Sequence, residues 1–377
     1  VTCGHAHNLP SLRDLSALLP RKLLGEDGFV DNELFISENL YAEYREKGGV
    51  PEAGDIMVTA IGTIGNSYVV RPEDRFYFKD ASVLWLHRIA EVSSEFINYW
   101  LKSPLFLDQL DRGNGATVDT LTIQKLQGVQ IELPSLAEQL RIVAILDEAF
   151  EGIATAKAIA EKNLQNAREL FDSSLELAFL ANGDDWIFTK LGGAFRTQTG
   201  TTPSKANAEF FGDFMPLVKP PELVDDVIDK AADGLSQSGV SVSRVLPVGS
   251  VMVSCIGNLG KIGINSVPVA CNQQINAISP NEDIAVPEFM FFQAMARPFK
   301  KQLEQAASGT TVAIVNKSKF NEIEIVLPPL KRQQEIVESL RTLRAECDRL
   351  AFSFNRKIAA LGELKKSLLH RAFSGQL

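Results

Sequence analysis

The chain has 377 residues, 45% hydrophobic and 23% charged, proportions that place it with soluble globular proteins of two or three domains and exclude a disordered chain. No apolar run reaches spanning length, and Val1 opens neither a basic leader nor a signal peptide, so a cytoplasmic protein is expected. A formal charge of −9 argues against wrapping nucleic acid indiscriminately, because such binding rests on neutralising phosphates, yet it leaves room for a local basic face.

Residues 1–132 read as a mixed α/β module. Cys3, His5 and His7 alternate and would share one face of a strand, but three ligands at a chain end without a fourth are a poor metal site. Gly54 to Gly62 is a β-rich run bounded by glycines, and Phe76 to Leu86 is a second strand candidate. Glu95 to Leu110, with Phe96, Tyr99, Trp100 and Leu107 near helical spacing, predicts one helix, which Gly113-Asn114-Gly115 ends in a loop.

Residues 133–183 predict a long helix. Ser135 caps it and Glu138, three residues on, suits a capping box. No proline occurs from Leu136 to Ala181. Leu136, Val143, Phe150, Leu164, Phe171 and Ala178 fall on a seven-residue row broken by Lys157, with a companion row at Leu146, Ile153, Ala160 and Ala167. Such a seam needs a partner helix. Asn182-Gly183 supplies the stop. Gly152 and Lys157 are its weak points. As one helix the 46 residues from Leu136 to Ala181 span roughly 70 Å, about twice the ~34 Å of one DNA turn.

The rest of the chain repeats this plan. At an offset of 194, Leu133, Pro134, Leu136, Gln139, Ile142, Val143 and Leu146 recur as Leu327, Pro328, Leu330, Gln333, Ile336, Val337 and Leu340. At 195, Gly54, Met57, Val58, Gly62 and Gly65 recur as Gly249, Met252, Val253, Gly257 and Gly260. The second module, 184–326, opens with a strand candidate, Asp185 to Gly192, that has no counterpart in the first. The partner helix, 327–377, carries Val337, Leu340, Cys347, Phe354, Ile358, Leu361 and Leu368 on its seam. The fold class is therefore α+β: two α/β modules joined by two long antiparallel helices with a pseudo-twofold internal repeat.

Catalytic signatures are missing. Gly257-Asn258-Leu259-Gly260-Lys261 lacks the spacing and the Ser or Thr of a P-loop, so it reads as a tight turn. Neither Gly-x-Ser-x-Gly nor His-Glu-x-x-His occurs, and His87 and His370 sit in structural contexts. Cys3, Cys255, Cys271 and Cys347 show no paired spacing, and no disulfide is expected. No cofactor is expected either.

Polar loops remain. Thr201, Thr202, Ser204 and Lys205 follow the first strand of the second module, Asn272, Gln273 and Gln274 form an amide-rich run, and Thr310 and Thr311 lie in a glycine loop. Amides can pair with adenine edges, lysine with guanine, and hydroxyls with phosphates. With Lys219, Asn258 and Lys261 these are the candidate DNA contacts; Asn66, Lys79, Asn114 and Thr117 are those of the first module. Two similar modules held apart by a rod suit two half-sites on duplex DNA.

Taken together, Thr199-Gly200-Thr201-Thr202-Pro203-Ser204, Asn272-Gln273, Ser308-Gly309-Thr310-Thr311, Leu327-Pro328-Pro329-Leu330, Gln333 with Ile336, and Ala372-Phe373-Ser374-Gly375 make the chain resemble a type I restriction-modification specificity subunit. The resemblance implies two target-recognition domains reading a bipartite double-stranded DNA site. It implies helices that hold two methyltransferase subunits, with Gln139, Ile142, Gln333 and Ile336 as partner-binding positions, and restriction subunits joining in the full complex. Methyl donor and ATP would belong to those partners, and the chain itself would be non-catalytic. The first module departs from the pattern, lacking the Trp-containing opening, with Lys79-Asp80 near where Asn272-Gln273 aligns. The recognition subunit of a type IIB-like enzyme and a coiled-coil adaptor that binds protein are the alternative readings.

Overall fold

A computed structural model describes residues 15–19, 34–61, 64–78, 82–110, 120–180, 183–309 and 311–377. Contacts divide the chain into two units, Val1–Glu161 with Asn355–Leu377, and Lys162–Phe354.

In the first unit the chain order is β1 (Leu15–Leu19), β2 (Leu34–Ser37), α1 (Glu38–Gly48), β3 (Ile56–Thr59), β4 (Ser67–Val69), β5 (Phe76–Phe78), β6 (Val83–Leu86), α2 (Ser94–Leu101), α3 (Pro104–Leu110), α4 (Ile123–Gly128) and the start of α5 (Leu136–Leu180). One sheet runs β4-β3-β6, all antiparallel, and a second runs β2-β1-β5, with β1 parallel to β5. Strand β3 is buried throughout, and its alternation sorts its side chains into two cores. Ile56 and Val58 meet Trp100, Leu101 and Phe106, whereas Met57 meets Phe76, Phe78 and Trp85. The single helix expected over Glu95–Leu110 is two helices. Pro104 has no N–H to continue α2, but its ring fits the first turn of α3.

In the second unit, after the remainder of α5, come β7 (Ile187–Lys190), α6 (Leu191–Ala194), β8 (Thr197–Thr199), β9 (Phe211–Val218), β10 (Asp226–Ile228), β11 (Gly234–Leu235), α7 (Gln237–Ser241), β12 (Val245–Leu246), β13 (Val251–Ser254), β14 (Ile262–Asn265), β15 (Val269–Cys271), β16 (Ile275–Ile278), α8 (Pro287–Met295), α9 (Arg297–Ala306), α10 (Lys317–Asn321), β17 (Glu324–Leu327) and α11 (Leu330–Phe373), whose last part returns to the first unit. The sheets run β10-β14-β13-β16-β8, β11-β9-β15-β12 and β17-β7. Strand β13 repeats the logic of β3. Val251 and Val253 face Phe289, Phe292 and Phe299, and Met252 faces Val218, Leu246 and Cys271.

The duplication extends to individual hydrogen bonds. The α4 cap Thr122 accepts from Lys125 N, as the α10 cap Asn316 accepts from Lys319 N. Gln109 exchanges a reciprocal pair with the backbone of Gln130, and Gln302 does the same with Glu324. The asymmetry expected from the unmatched opening of the second module is also present: β17 pairs with β7, while residues 130–133 form no strand.

Helix α5 runs 45 residues without a break at Gly152 or Lys157, and α11 runs 44. In the first unit Ile142, Val143 and Leu146 pack with Leu369 and Ala372. In the second, Leu175 and Phe179 pack in one cluster with Ile336, Val337 and Leu340, so the helices are antiparallel. Leu136, expected on the seam, is exposed. The capping box is half formed: Glu138 N donates to Ser135 Oγ at 3.4 Å, but the Glu138 carboxylate pairs with Arg141 instead.

Each long helix is pinned to its module by a buried glutamine. Gln139 Oε1 accepts from Ser93 N at 2.9 Å and its Nε2 donates to Pro134 O. Gln333 Oε1 accepts from Val286 N at 2.9 Å, and its Nε2 donates to Ile284 O and Pro328 O. This corrects the expectation that Gln139, Ile142, Gln333 and Ile336 meet partners. They are only 3%, 6%, 0% and 6% exposed, because the same face that carries the repeat packs the helix on its own module. Gln333→Met removes both functions of the amide and strands buried backbone groups, so a loss of about 2–4 kcal/mol is expected, read from the urea midpoint, with exposed Leu350→Ala changing little.

Asp55 supplies a second anchor in the first unit. Burial pushes its carboxyl pKa up, but hydrogen bonds from the Glu52 and Arg88 N–H groups, Trp85 Nε1 and His87 outweigh this, and the net pKa is lowered. A depressed folded-state pKa stabilises above the unfolded carboxylate value, about 3.9, and the benefit is lost as pH falls through the folded one. Wild type should therefore exceed Asp55→Asn in urea midpoint at pH 7, with the gap closing below the ordinary carboxylate range.

Candidate nucleic-acid interface

The candidate residues of the second unit come from stretches more than 100 residues apart in sequence. The structure gathers their backbones at one end of its sheets. Beyond β8 the chain turns at Gly200, whose N–H donates to Ile275 O, and Thr201 N donates to Cys271 O at the end of β15. Asn272 N donates to Val218 O, which brings the amide run beside the end of β9 and Lys219. Cys255 N donates to Gln274 O, and Gly257 N to Ala313 O, so the β13–β14 turn and the loop holding Thr311 join the same edge. That turn, with Gly257 and Gly260 at φ +77° and +75°, is the tight turn expected in place of a phosphate loop. The left-handed backbone is what requires glycine there.

Within this cluster the side chains divide by role. Asn272 is buried, and its amide closes the loop on itself: Oδ1 accepts from Gln274 N and Nδ2 donates to Gln274 Oε1. Lys219 is paired with Asp233. Thr202 Oγ1 donates to Gln273 Oε1 at 3.1 Å, which engages one lone pair of an exposed amide and leaves its NH2 free to donate. Ser204, Lys205, Asn258 and Thr311 are exposed and Lys261 is half-buried. In the first unit, Asn66 occupies the position of Lys261, at the β3–β4 turn, where its carbonyl accepts from Thr59 N. Lys79, Asn114, Thr117 and Thr310 lie outside the described residues, as do Cys3, His5 and His7.

Arg244 belongs to the same end and was not among the candidates. It precedes β12, its Nη1 donates to Thr199 O at 2.8 Å, and its N–H reaches Thr201 Oγ1. No local spacing links it to Thr199 or Asn272. Only the pairing of β12 with β15 brings it there.

Chemically the cluster offers hydroxyl, amide and lysine groups above a buried base. Cys255 and Cys271, beneath it, are buried free thiols whose pKa burial pushes up to about 12, and they act as core residues rather than nucleophiles. Among the described residues no group of His, Cys, Asp and Glu is arranged to hold a metal, and no helix is long and apolar enough to cross a membrane.

Gly200 fixes the approach of two of these loops. A Cβ there would stand 2.2 Å from Asn272 O and 2.3 Å from Cys271 O, and backbone cannot yield as a side chain can. Gly200→Ala is expected to lower stability by about 1–3 kcal/mol in chemical denaturation. Gly257→Ala has open space and should lose only about 1–2 kcal/mol from its left-handed φ.

Residues 25–163 and 183–353 match the family model described as type I restriction modification DNA specificity domain. The HindI specificity subunit of Haemophilus influenzae is 32% identical over 182 residues, 47% of this chain and 39% of that protein, so the match spans under two thirds of its length. The EcoBI specificity subunit of Escherichia coli is 23% identical over 365 residues, 84% of this chain and 76% of that one. Among solved structures, a chain from a study of complex assembly in the type I R-M system superposes with a TM-score of 0.82 at 18% identity, covering 96% of this chain and 92% of that one. The HsdS subunit from Thermoanaerobacter tengcongensis gives 0.62 at 18%, covering 96% and 91%; both likenesses are of fold. With the family model matched in both halves, the chain belongs to the type I restriction modification DNA specificity domain family.

Proposed function

We propose that this chain is the DNA-recognition subunit of a type I restriction-modification complex, with residues 1–132 and 184–326 as two recognition modules that each read one part of a bipartite double-stranded site. Residues 133–183 and 327–377 are then the helices that separate and carry them. The observation that supports this reading most is the convergence of exposed hydroxyl, amide and lysine side chains from separate loops on one end of a rigid sheet core. Short polar side chains on fixed loops can read base edges, while a net charge of −9 keeps sequence-independent binding low. Chemistry on the DNA falls to the partners: methyltransferase subunits, and restriction subunits in the full assembly, supply methyl donor and ATP.

The methyltransferase subunits dock on the outward faces of the long helices. Leu170 and Leu364 correspond at the 194-residue offset and are 52% and 46% exposed, so each copy of the repeat offers an exposed apolar side chain at the same place. Exposed apolar side chains at equivalent places suit two copies of one partner.

Assembly with methyltransferase subunits followed by mapping of modified bases tests this. Two short specified parts separated by an unspecified gap are expected, and one continuous short site would overturn the reading. Leu170→Glu and Leu364→Glu should each cost one bound methyltransferase, read by mass measurement of the complex.

A further inference from the structure

The geometry points to Arg244 as a guanine-reading residue of the second module, held in position by the carbonyl of Thr199. The inference rests on the DNA-recognition reading above and deepens it by naming one base and the group that reads it.

Three observations carry it. First, Arg244 is exposed yet tethered: Nη1 donates to Thr199 O at 2.8 Å, where β8 ends, and its own N–H reaches Thr201 Oγ1 at 3.4 Å. A phosphate-steering arginine needs only charge and reach, whereas a base-reading one needs a fixed plane, and the tether supplies it. Second, Arg244 forms no ion pair with a carboxylate among the described residues, in contrast to Lys219, which is neutralised by Asp233. Its remaining guanidinium N–H groups have no partner among the described residues. Third, Lys205 and Lys261 at the same end only donate, and one lone pair of Gln273 Oε1 is already engaged by Thr202.

A side chain that only donates matches one base edge. In the major groove guanine presents two adjacent acceptors, O6 and N7, while adenine presents an acceptor beside a donor and needs an amide with both functions free. A guanidinium, which only donates, bonds bidentately to the two guanine acceptors. The half-site read by the second module therefore contains a G·C pair contacted by Arg244.

The test uses the full chain assembled with its methyltransferase subunits and a randomised DNA pool. Wild-type complex should select a bipartite site with an invariant guanine in one part. Arg244→Ala should lose the preference at that base pair alone, with the other part of the site unchanged. On the selected site, 7-deazaguanine at that position should weaken wild-type binding by roughly 5- to 100-fold and leave Arg244→Ala indifferent, an arm that stands on the wild-type protein even if the alanine variant folds poorly. Uniform weakening across all sequences, with the salt dependence reduced by about one phosphate contact, would show that Arg244 touches backbone and would overturn the inference. So would an unchanged preference with Arg244→Ala, or insensitivity of wild type to 7-deazaguanine. If wild type selects no bipartite site, the recognition reading fails with it; if wild type selects one and only the Arg244 arms fail, that reading stands.

Discussion

An apolar seam running along a 45-residue helix cannot be left in water, and nearly everything else in this protein follows from how that seam is covered. The cover comes from the chain's own second copy of the helix, packed antiparallel, with Leu146 beside Leu369 in one unit and Leu175 clustered with Leu340 in the other. Ala160 and Ala167, on the companion row of the same helix, are buried as well. A helix alone of this composition would have little reason to persist through Gly152, since helix propensity is a weak force beside tertiary packing.

The modules are fastened to this seam by polar as well as apolar contacts. A glutamine one turn into each long helix binds the backbone where the chain enters α2 or α8 and also the proline carbonyl before its own helix. Apolar burial alone would tolerate sliding along the helix, whereas a buried amide satisfied by particular backbone groups has one register. Glutamine at these places therefore sets where each module sits on its own helix.

Rigidity at the base and variety at the rim give the interface its character. Strands β13 to β16 are buried on both faces, and the loops at one end of them are tied to one another largely through backbone hydrogen bonds. The side chains at the rim are then free to differ without disturbing the frame. The two modules illustrate this within one chain, with Asn66 in one and Lys261 in the other on the same turn of the same hairpin.

Much of this architecture was legible in the sequence because helical and strand periodicities are local and because duplication writes every long-range pairing twice. The seven-residue rows and the recurrence of Leu-Pro ahead of each helix gave both helices, their ends and their mutual need, and paired glycines located the β3–β4 and β13–β14 turns. What the sequence could not decide was direction. Gln139, Ile142, Gln333 and Ile336 read as a shared surface, yet they point inward, since a repeated residue is as well explained by a repeated internal contact as by a repeated partner. Asn272 and Lys219 read as available and are spent on a turn and an ion pair. Arg244 carried no signal at all, because its place among these loops comes from the pairing of Val245 with Ala270 and Leu246 with Val269, a contact between distant segments that only the folded sheet brings about.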